Sequence, residues 1–321
     1  MMILYPLKLV PVSKEILWGG RKLKERYHKS APFEKLAESW ELTVRPAEMN
    51  VIENGSAAGM TLEEYIRRAG YETVSPHYDG SRFPLLIKFI DACDRLSIQV
   101  HPDDAYALSH EGELGKTEMW YIVEAEPGAS LVYGLKDSVT EKDFADAVHA
   151  GRIGDTLRFV PVRAGETYFI PSGQIHAIGA GILIAEIQQN SNVTYRVYDY
   201  DRRQADGSLR QLHTEKALDV VRVRSEAGID AIRFARGRSD ASVIADCPYF
   251  RVRHLTPEHL PFTLRPSDSF LSVLCTEGEG ELLCEGVSYP VRRGDSYFLA
   301  RGCAPCEVRG SVELLVSETN E

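Results

Sequence analysis

Long apolar runs, runs of positive charge and long helical periods are all scarce in this 321-residue chain. Each scarcity excludes something. No apolar stretch approaches the roughly 20 residues that cross a bilayer as a helix; the best, residues 84–90, is interrupted by Lys88. No basic region precedes the short apolar start, so no secretory signal is read and the cytoplasm is the expected compartment. Positive charge is thin: 37 Lys and Arg stand against 47 Asp and Glu, a net charge of −10, and basic runs stop at pairs such as Arg202-Arg203. A nucleic-acid binder needs a positive footprint, so none is expected as a partner, nor is a membrane. Any anionic ligand must be met by local positive charge.

Cysteine is sparse too, at six: Cys93, Cys247, Cys275, Cys284, Cys303 and Cys306. A cytosolic chain of this size needs no disulfides. Cys303-Ala304-Pro305-Cys306 has the spacing of a redox or zinc pair. A redox pair should open a helix after a strand, whereas this one lies among short strand-like runs, so buried or incidental thiols are expected.

What is present is a globular composition, 44% hydrophobic and 26% charged, enough for two domains or one large one. Helical signals are few. Thr61 and Glu64 frame a capping box ahead of a stop at Gly70; Thr140 and Asp143 open a second helix ending near Gly151; residues 213–221 read as a third. Most of the remainder alternates in strand-length pieces, at 96–100, 119–124, 167–170, 182–188, 270–275, 280–284 and 312–316. Many short strands with few helices predict a mainly β fold, a sandwich, barrel or jelly roll, since parallel α/β folds need a helix after nearly every strand.

An internal repeat sharpens this. Residues 163–173, RAGETYFIPSG, align with 292–302, RRGDSYFLARG, and a second landmark upstream repeats in the same order. The pattern predicts two related β-barrels: a metal-binding domain over 1–235 with inserted helices, and a smaller barrel over 236–321. The frame Gly165, Pro171, Gly173, His176 resembles the second signature of the cupin superfamily, jelly-roll barrels with a metal in the lumen. The second copy has Pro305 where His176 stands, and proline cannot ligate, so that barrel is expected to be chemically silent.

Gln99 and His101, at i and i+2 on a strand, share one face about 6.6–6.8 Å apart. With Glu118 and His176 they offer two imidazoles, one carboxylate and one amide oxygen. That set suits zinc best, with manganese, iron or cobalt as alternatives. A divalent ion so held keeps a surplus positive charge and remains a Lewis acid toward a carbonyl or hydroxyl oxygen.

Residues 96–104 (LSIQVHPDD), 115–121 (GKTEMWY), 37–41 (AESWE), 83–88, 170–176 (IPSGQIH) and 192–202 closely resemble class I mannose-6-phosphate isomerases in their shorter bacterial form. The resemblance runs from about residue 5 to about 225, and more loosely beyond. It implies interconversion of mannose 6-phosphate and fructose 6-phosphate with one zinc ion, held by Gln99, His101, Glu118 and His176. It also implies that Arg196 is essential, that Lys88 and Lys116 contact phosphate or sugar, and that Ser97 and Ser39 donate hydroxyl hydrogen bonds. Trp40 reads equally as core or as a sugar-stacking platform, Lys88 as the partner of a carboxylate or as a side chain that snorkels to the surface, and Arg196 as a partner of Asp199 or Asp201. Glu186, on an expected strand with Ile182, Ile184 and Gln188 on its face, is a candidate proton shuttle or a solvent-facing glutamate. The substrate is a small sugar phosphate and the chain a monomer or weak homo-oligomer. Rival readings are a cupin dioxygenase and a non-catalytic sugar-phosphate binder.

Overall fold

The structure is a computed structural model and describes residues 3–204, 206–223 and 242–320. It is mainly β, as the strand pattern predicts. Among the described residues no helix is long and apolar enough to cross a membrane. The boundary expected between residues 235 and 236 lies outside the described residues. The described residues fall into two compact units that interleave along the chain: 3–15, 21–89 and 242–320 in the first, and 16–20, 90–204 and 206–223 in the second. The N-terminal residues join the C-terminal barrel through strand pairing, because Leu7–Val10 runs antiparallel to Ser296–Leu299 with Leu7 opposite Phe298. Such a pairing leaves no mark in either segment alone.

The first unit is built on two 14-residue strands, Leu271–Cys284 and Cys306–Thr319, paired along nearly their whole length. The pieces expected at 270–275 and 280–284 are thus one strand with a register shift between Cys275 and Glu277. Glycine looks like a break in the sequence but here permits close approach. A Cβ on Gly278 would lie 1.9 Å from the Ser311 carbonyl oxygen, and one on Gly280 2.1 Å from that of Arg309. The interior is apolar, including Val273, Leu282, Leu314 and Val316. Cys306 does not remain a thiol: it is joined by a disulfide to Cys284, its direct cross-strand partner, with Cα atoms 4.4 Å apart. That corrects the expectation of incidental thiols at 303 and 306. Of the two, Cys303 stays a buried thiol, its pKa pushed up to about 11 chiefly by burial.

The second unit holds a five-stranded sheet in the order Leu157–Pro161, Ser130–Leu135, His176–Ile178, Ile98–Val100, Tyr195–Tyr198. It also holds the ladder Thr167–Ile170, Glu118–Ala125, Ile182–Gln189. One face of the five-stranded sheet packs Ile98, Val100, Val132, Ala177, Tyr195 and Val197 against Phe144 and Ala217 of the helices Glu141–His149 and Thr214–Val220. Both helices match the expected ones. The first carries a full capping box between Thr140 and Asp143, and Thr61 caps Leu62–Ala69 in the other unit. Helices Lys22–Arg26 and Asp104–His110 were not expected.

The sequence repeat is a backbone repeat. Gly165 and Gly294 have φ of 87° and 90°, Gly173 and Gly302 of 84° and 85°, and each pair brackets a four-residue strand, Thr167–Ile170 or Ser296–Leu299.

Gly278 and Gly286 separate steric from conformational cost, since both have φ of +81° but a Cβ on Gly286 meets nothing within 4 Å. Gly286→Ala is expected to cost about 1 kcal/mol for the left-handed backbone alone. Gly278→Ala should cost about 3 kcal/mol, because the neighbouring strand must also give way. Urea denaturation of both variants measures the difference, and equal losses would contradict the close-approach reading.

Candidate active site

In the second unit, cross-strand register sets a row of side chains on the face opposite the apolar cluster. Tyr133 stands opposite His176, His176 opposite Gln99, and Gln99 opposite Arg196. Directly opposed residues share a face, so the strand residues between them, Ile98, Val100, Ala177 and Val197, turn to the other side. His101 follows the end of its strand, and Glu118 begins the strand Glu118–Ala125.

His101, Glu118 and His176 converge. Each is buried, and one ligand atom from each lies within 4.8 Å of the others; among the described residues this is the one such group. His176 Nε2 is 3.4 Å from Glu118 Oε1, and His101 Nε2 is 3.6 Å from Glu118 Oε2. The far nitrogens are held by backbone: His101 Nδ1 lies 2.9 Å from the Val193 carbonyl oxygen and His176 Nδ1 2.8 Å from that of Gln174. A carbonyl only accepts, so Nδ1 carries the proton in both rings and the Nε2 lone pairs face Glu118. Burial holds the His176 pKa down at about 4, keeping that ring neutral near pH 7. The Gln99 amide lies 3.3 Å from His176 Nε2, and the buried Ser97 hydroxyl donates to its oxygen at 3.4 Å.

The donor set fits one divalent cation. Ligand bonds of about 2.0–2.2 Å in tetrahedral array place neighbouring donor atoms about 3.4 Å apart, which is the spacing seen between Glu118 and the two imidazoles.

Two further charged groups adjoin the cluster. Lys116 Nζ is 2.9 Å from Glu118 Oε2 and 3.9 Å from Glu186 Oε1. Glu186 is 3% exposed, so the solvent-facing alternative fails. The Trp120 indole N–H donates to its Oε2 at 2.9 Å, while the Trp120 ring meets His176 edge-on at 5.4 Å. Glu118 and Trp120 stand opposite Gln188 and Glu186 in the ladder, which puts Glu186 on the face that carries Glu118.

The loop before Glu118 is fixed by residues that sequence reasoning missed. Asp104 Oδ1 accepts from the Gly115 amide at 2.8 Å and from Gln189 Nε2 at 3.0 Å, and Gln189 Oε1 accepts from the Thr117 amide at 2.8 Å. A Cβ on Gly115 would meet the Asp103 backbone at 2.4 Å, so only glycine lets the loop close here. The sequence signal was Pro102-Asp103-Asp104, a helix start whose Asp103 side chain caps Tyr106.

Arg196 is half-buried, and its Nη1 donates to the Gln211 carbonyl oxygen at 2.8 Å. Burial first, and then the charge of Arg210, lower its pKa from the usual arginine value.

The remaining expected residues lie in the first unit. Lys88 is 3.8 Å from Glu38 Oε2 and 5.3 Å from the Trp40 ring centroid, with the Trp40 indole N–H donating to Glu38 at 2.7 Å. The buried ion pair weighed for Lys88 therefore exists, and Glu38 is its unforeseen partner. Ser39 is fully buried and donates to Glu41 Oε1 at 2.6 Å, within a group completed by Lys29 at 2.7 Å from Glu41. Its hydroxyl is committed there. Adjacent strand residues also point to opposite faces, so Ser39 and Trp40 do not serve one surface.

Comparison with known proteins identifies the family. The family model for the catalytic domain of type I phosphomannose isomerase matches residues 6–127, and that for the mannose-6-phosphate isomerase cupin domain matches residues 241–319. A Streptococcus mutans protein named mannose-6-phosphate isomerase is 35% identical over 98% of this chain and 99% of its own length. Mannose-6-phosphate isomerase ManA of Bacillus subtilis is 36% identical over 97% and 98%. A crystal structure of the Bacillus subtilis mannose 6-phosphate isomerase superposes with a TM-score of 0.84 at 34% identity, covering 98% of this chain and 99% of that one. Identity at this level along essentially the full length places the chain in the type I phosphomannose isomerase family.

Proposed function

We propose that this chain interconverts mannose 6-phosphate and fructose 6-phosphate at the buried cluster of its second unit, with one zinc ion held by Gln99, His101, Glu118 and His176. Family membership supports the reaction. The observation that carries the site is the convergence of His101, Glu118 and His176 within 4.8 Å, with Lys116 and Glu186 alongside. Type I isomerases share this metal dependence; the choice of zinc over manganese, iron or cobalt rests on the nitrogen and oxygen donor set.

Aldose–ketose isomerisation moves one proton between C1 and C2. A base takes the C2 proton of the open-chain aldose, leaving an enediolate with its charge on O1; the hydroxyl proton passes from O2 to O1, and the same base returns the carbon proton to C1, giving the ketose. A divalent ion held by these residues would supply positive charge to stabilise the enediolate. Glu186 is assigned the shuttle. Its Oε2 is fixed by the Trp120 indole and its Oε1 faces Lys116, so the carboxylate is oriented before substrate arrives. Arg196, in the row with Gln99, is assigned to stabilise the negative charge as it develops. Lys116 and Ser97 are assigned to sugar oxygens, Lys116 because its ammonium sits between the two carboxylates. Lys88 and Trp40 belong to the other unit, and their assignment to substrate rests on the family resemblance alone. Ser39 is assigned no substrate contact, its hydroxyl being taken by Glu41.

Purified protein should carry about one divalent ion per chain by elemental analysis and convert mannose 6-phosphate, losing that activity on chelation and regaining it with zinc. Full turnover after complete metal removal would overturn the mechanism. His101→Ala and His176→Ala should each weaken metal binding by about 100-fold or more, with turnover falling in step.

Glu186→Gln should lower kcat by about 10²–10⁴ while bound metal stays at the wild-type level. Near-normal turnover in that variant would remove Glu186 from the proton transfer.

A further inference from the structure

The segment that follows Arg196 sets two further arginines, Arg202 and Arg210, on one buried carboxylate. Asp199 is 4% exposed. Its Oδ1 accepts from Arg202 Nη2, and its Oδ2 lies 3.5 Å from Arg210 Nη1. Both carboxylate oxygens thus lie within ion-pair distance of arginines other than Arg196. Arg196 itself has no carboxylate within ion-pair distance among the described residues: its Nη1 is on the Gln211 carbonyl, and its Nε is buried without a hydrogen bond. The charges of Arg210 and Arg202 act against its cationic form, and Asp199 is the group that acts for it.

The backbone enforces the arrangement. Tyr200 and Asp201 adopt φ of 57° and 52°, consecutive left-handed positions with no glycine, a conformation that persists only where surrounding contacts over-determine it. Those contacts are visible. The turn folds Arg202 back so that its amide donates to the Asp199 carbonyl oxygen at 3.1 Å and its Nη1 to that of Arg95 at 2.6 Å. Tyr200 is covered by the guanidinium groups of Arg95 at 3.7 Å and Arg202 at 5.4 Å from its ring centroid. A register shift between Arg196 and Tyr198 separates the paired strand from this turn.

We propose that Asp199 is a positioning residue: by pairing with Arg202 and Arg210 it prevents either from displacing Arg196, and so leaves the Arg196 guanidinium without a carboxylate partner of its own, available for the charge that develops on the sugar. The proposal rests on the role assigned to Arg196 above. It differs from a plain structural ion pair in one respect, that the effect of losing Asp199 must pass through Arg196. An arginine needed only as the reaction proceeds affects kcat more than KM, and a small misplacement of such a group costs one to two orders of magnitude in rate.

A double-mutant cycle on the metal-loaded, full-length chain tests this, with mannose 6-phosphate as substrate. Asp199→Asn should lower kcat by about tenfold or more, change KM by less than about threefold, and leave bound metal unchanged. In an Arg196→Lys background, which retains residual turnover, the same substitution should cost less than about twofold, because the group it positions is already gone. Asp199→Glu, which keeps the charge, should recover more of the rate than Asp199→Asn and guards against a variant that simply folds poorly. Equal losses in both backgrounds, or loss of metal and melting temperature in parallel with rate, would overturn the proposal. Wild-type turnover in Arg196→Ala would overturn the role of Arg196 and the positioning role with it. A wild-type chain that does not isomerise mannose 6-phosphate at all would instead sink the proposed function.

Discussion

A carboxylate with no solvent exposure must be surrounded by positive charge, and Glu118 is such a group. The second unit is arranged around meeting that need. Lys116 stands 2.9 Å from one Glu118 oxygen, and with Nδ1 protonated toward a carbonyl, each imidazole in its neutral form aims an Nε2 lone pair at the carboxylate. Lone pairs facing a carboxylate are an unfavourable pairing by themselves; they make sense around a shared cation. Formally, Glu118 and Glu186 outweigh Lys116 by one negative charge, and a divalent ion turns that into a surplus of one positive charge. An anionic sugar and a developing enediolate are both favoured by that sign. One buried carboxylate therefore links the fold's interior polarity to the reaction.

The division of labour between sheet faces follows from the two-residue period of a strand. In the five-stranded sheet, Gln99, His176 and Arg196 occupy one face, while their neighbours Ile98, Val100, Ala177, Tyr195 and Val197 pack under the helices on the other. A slip of one residue in any of these strands would bury the site groups under apolar helices and expose the core. Hydrophobic packing on the outer face thus fixes the register, and the register fixes the geometry of the inner face. The helices Glu141–His149 and Thr214–Val220 support the site from behind, and His213, which precedes the second helix, donates its amide to the Arg196 carbonyl oxygen at 2.7 Å.

This explains how much was legible in the sequence. His101 was readable because it stands two residues from a second potential ligand, and His176 because its glycine frame repeats at 294–302; both join Glu118 in the buried group, whereas Gln99 turns its amide nitrogen toward His176. Helices with a threonine cap were readable at both Thr61 and Thr140. What escaped was long-range. Trp120 and Glu186 meet across 66 residues, and Glu41 meets Lys29 and Ser39 in a group that no local pattern announces. The pairing of Leu7–Val10 with Ser296–Leu299 joins opposite ends of the chain. The Cys284–Cys306 bond escaped for a related reason: spacing directed attention to Cys303, whereas strand register selects Cys284.

The two copies of the repeat show that a barrel's frame and its chemistry are separable. Gly165 and Gly294, and likewise Gly173 and Gly302, keep the same left-handed backbone, because the turns on either side of a short strand require it whatever lies inside. The lumen is under no such constraint. Where the second unit sets His176, the first has Pro305, and its interior is filled by Val273, Leu282, Leu314 and Val316. An apolar filling buries surface without the desolvation cost that a carboxylate carries, so a barrel released from holding a metal is free to pack an oily core. The barrel that carries the candidate metal site has no such freedom: Glu118 stands against Lys116 and both histidines, whose far nitrogens are set by backbone carbonyls, and Lys116 links it to Glu186 and so to Trp120.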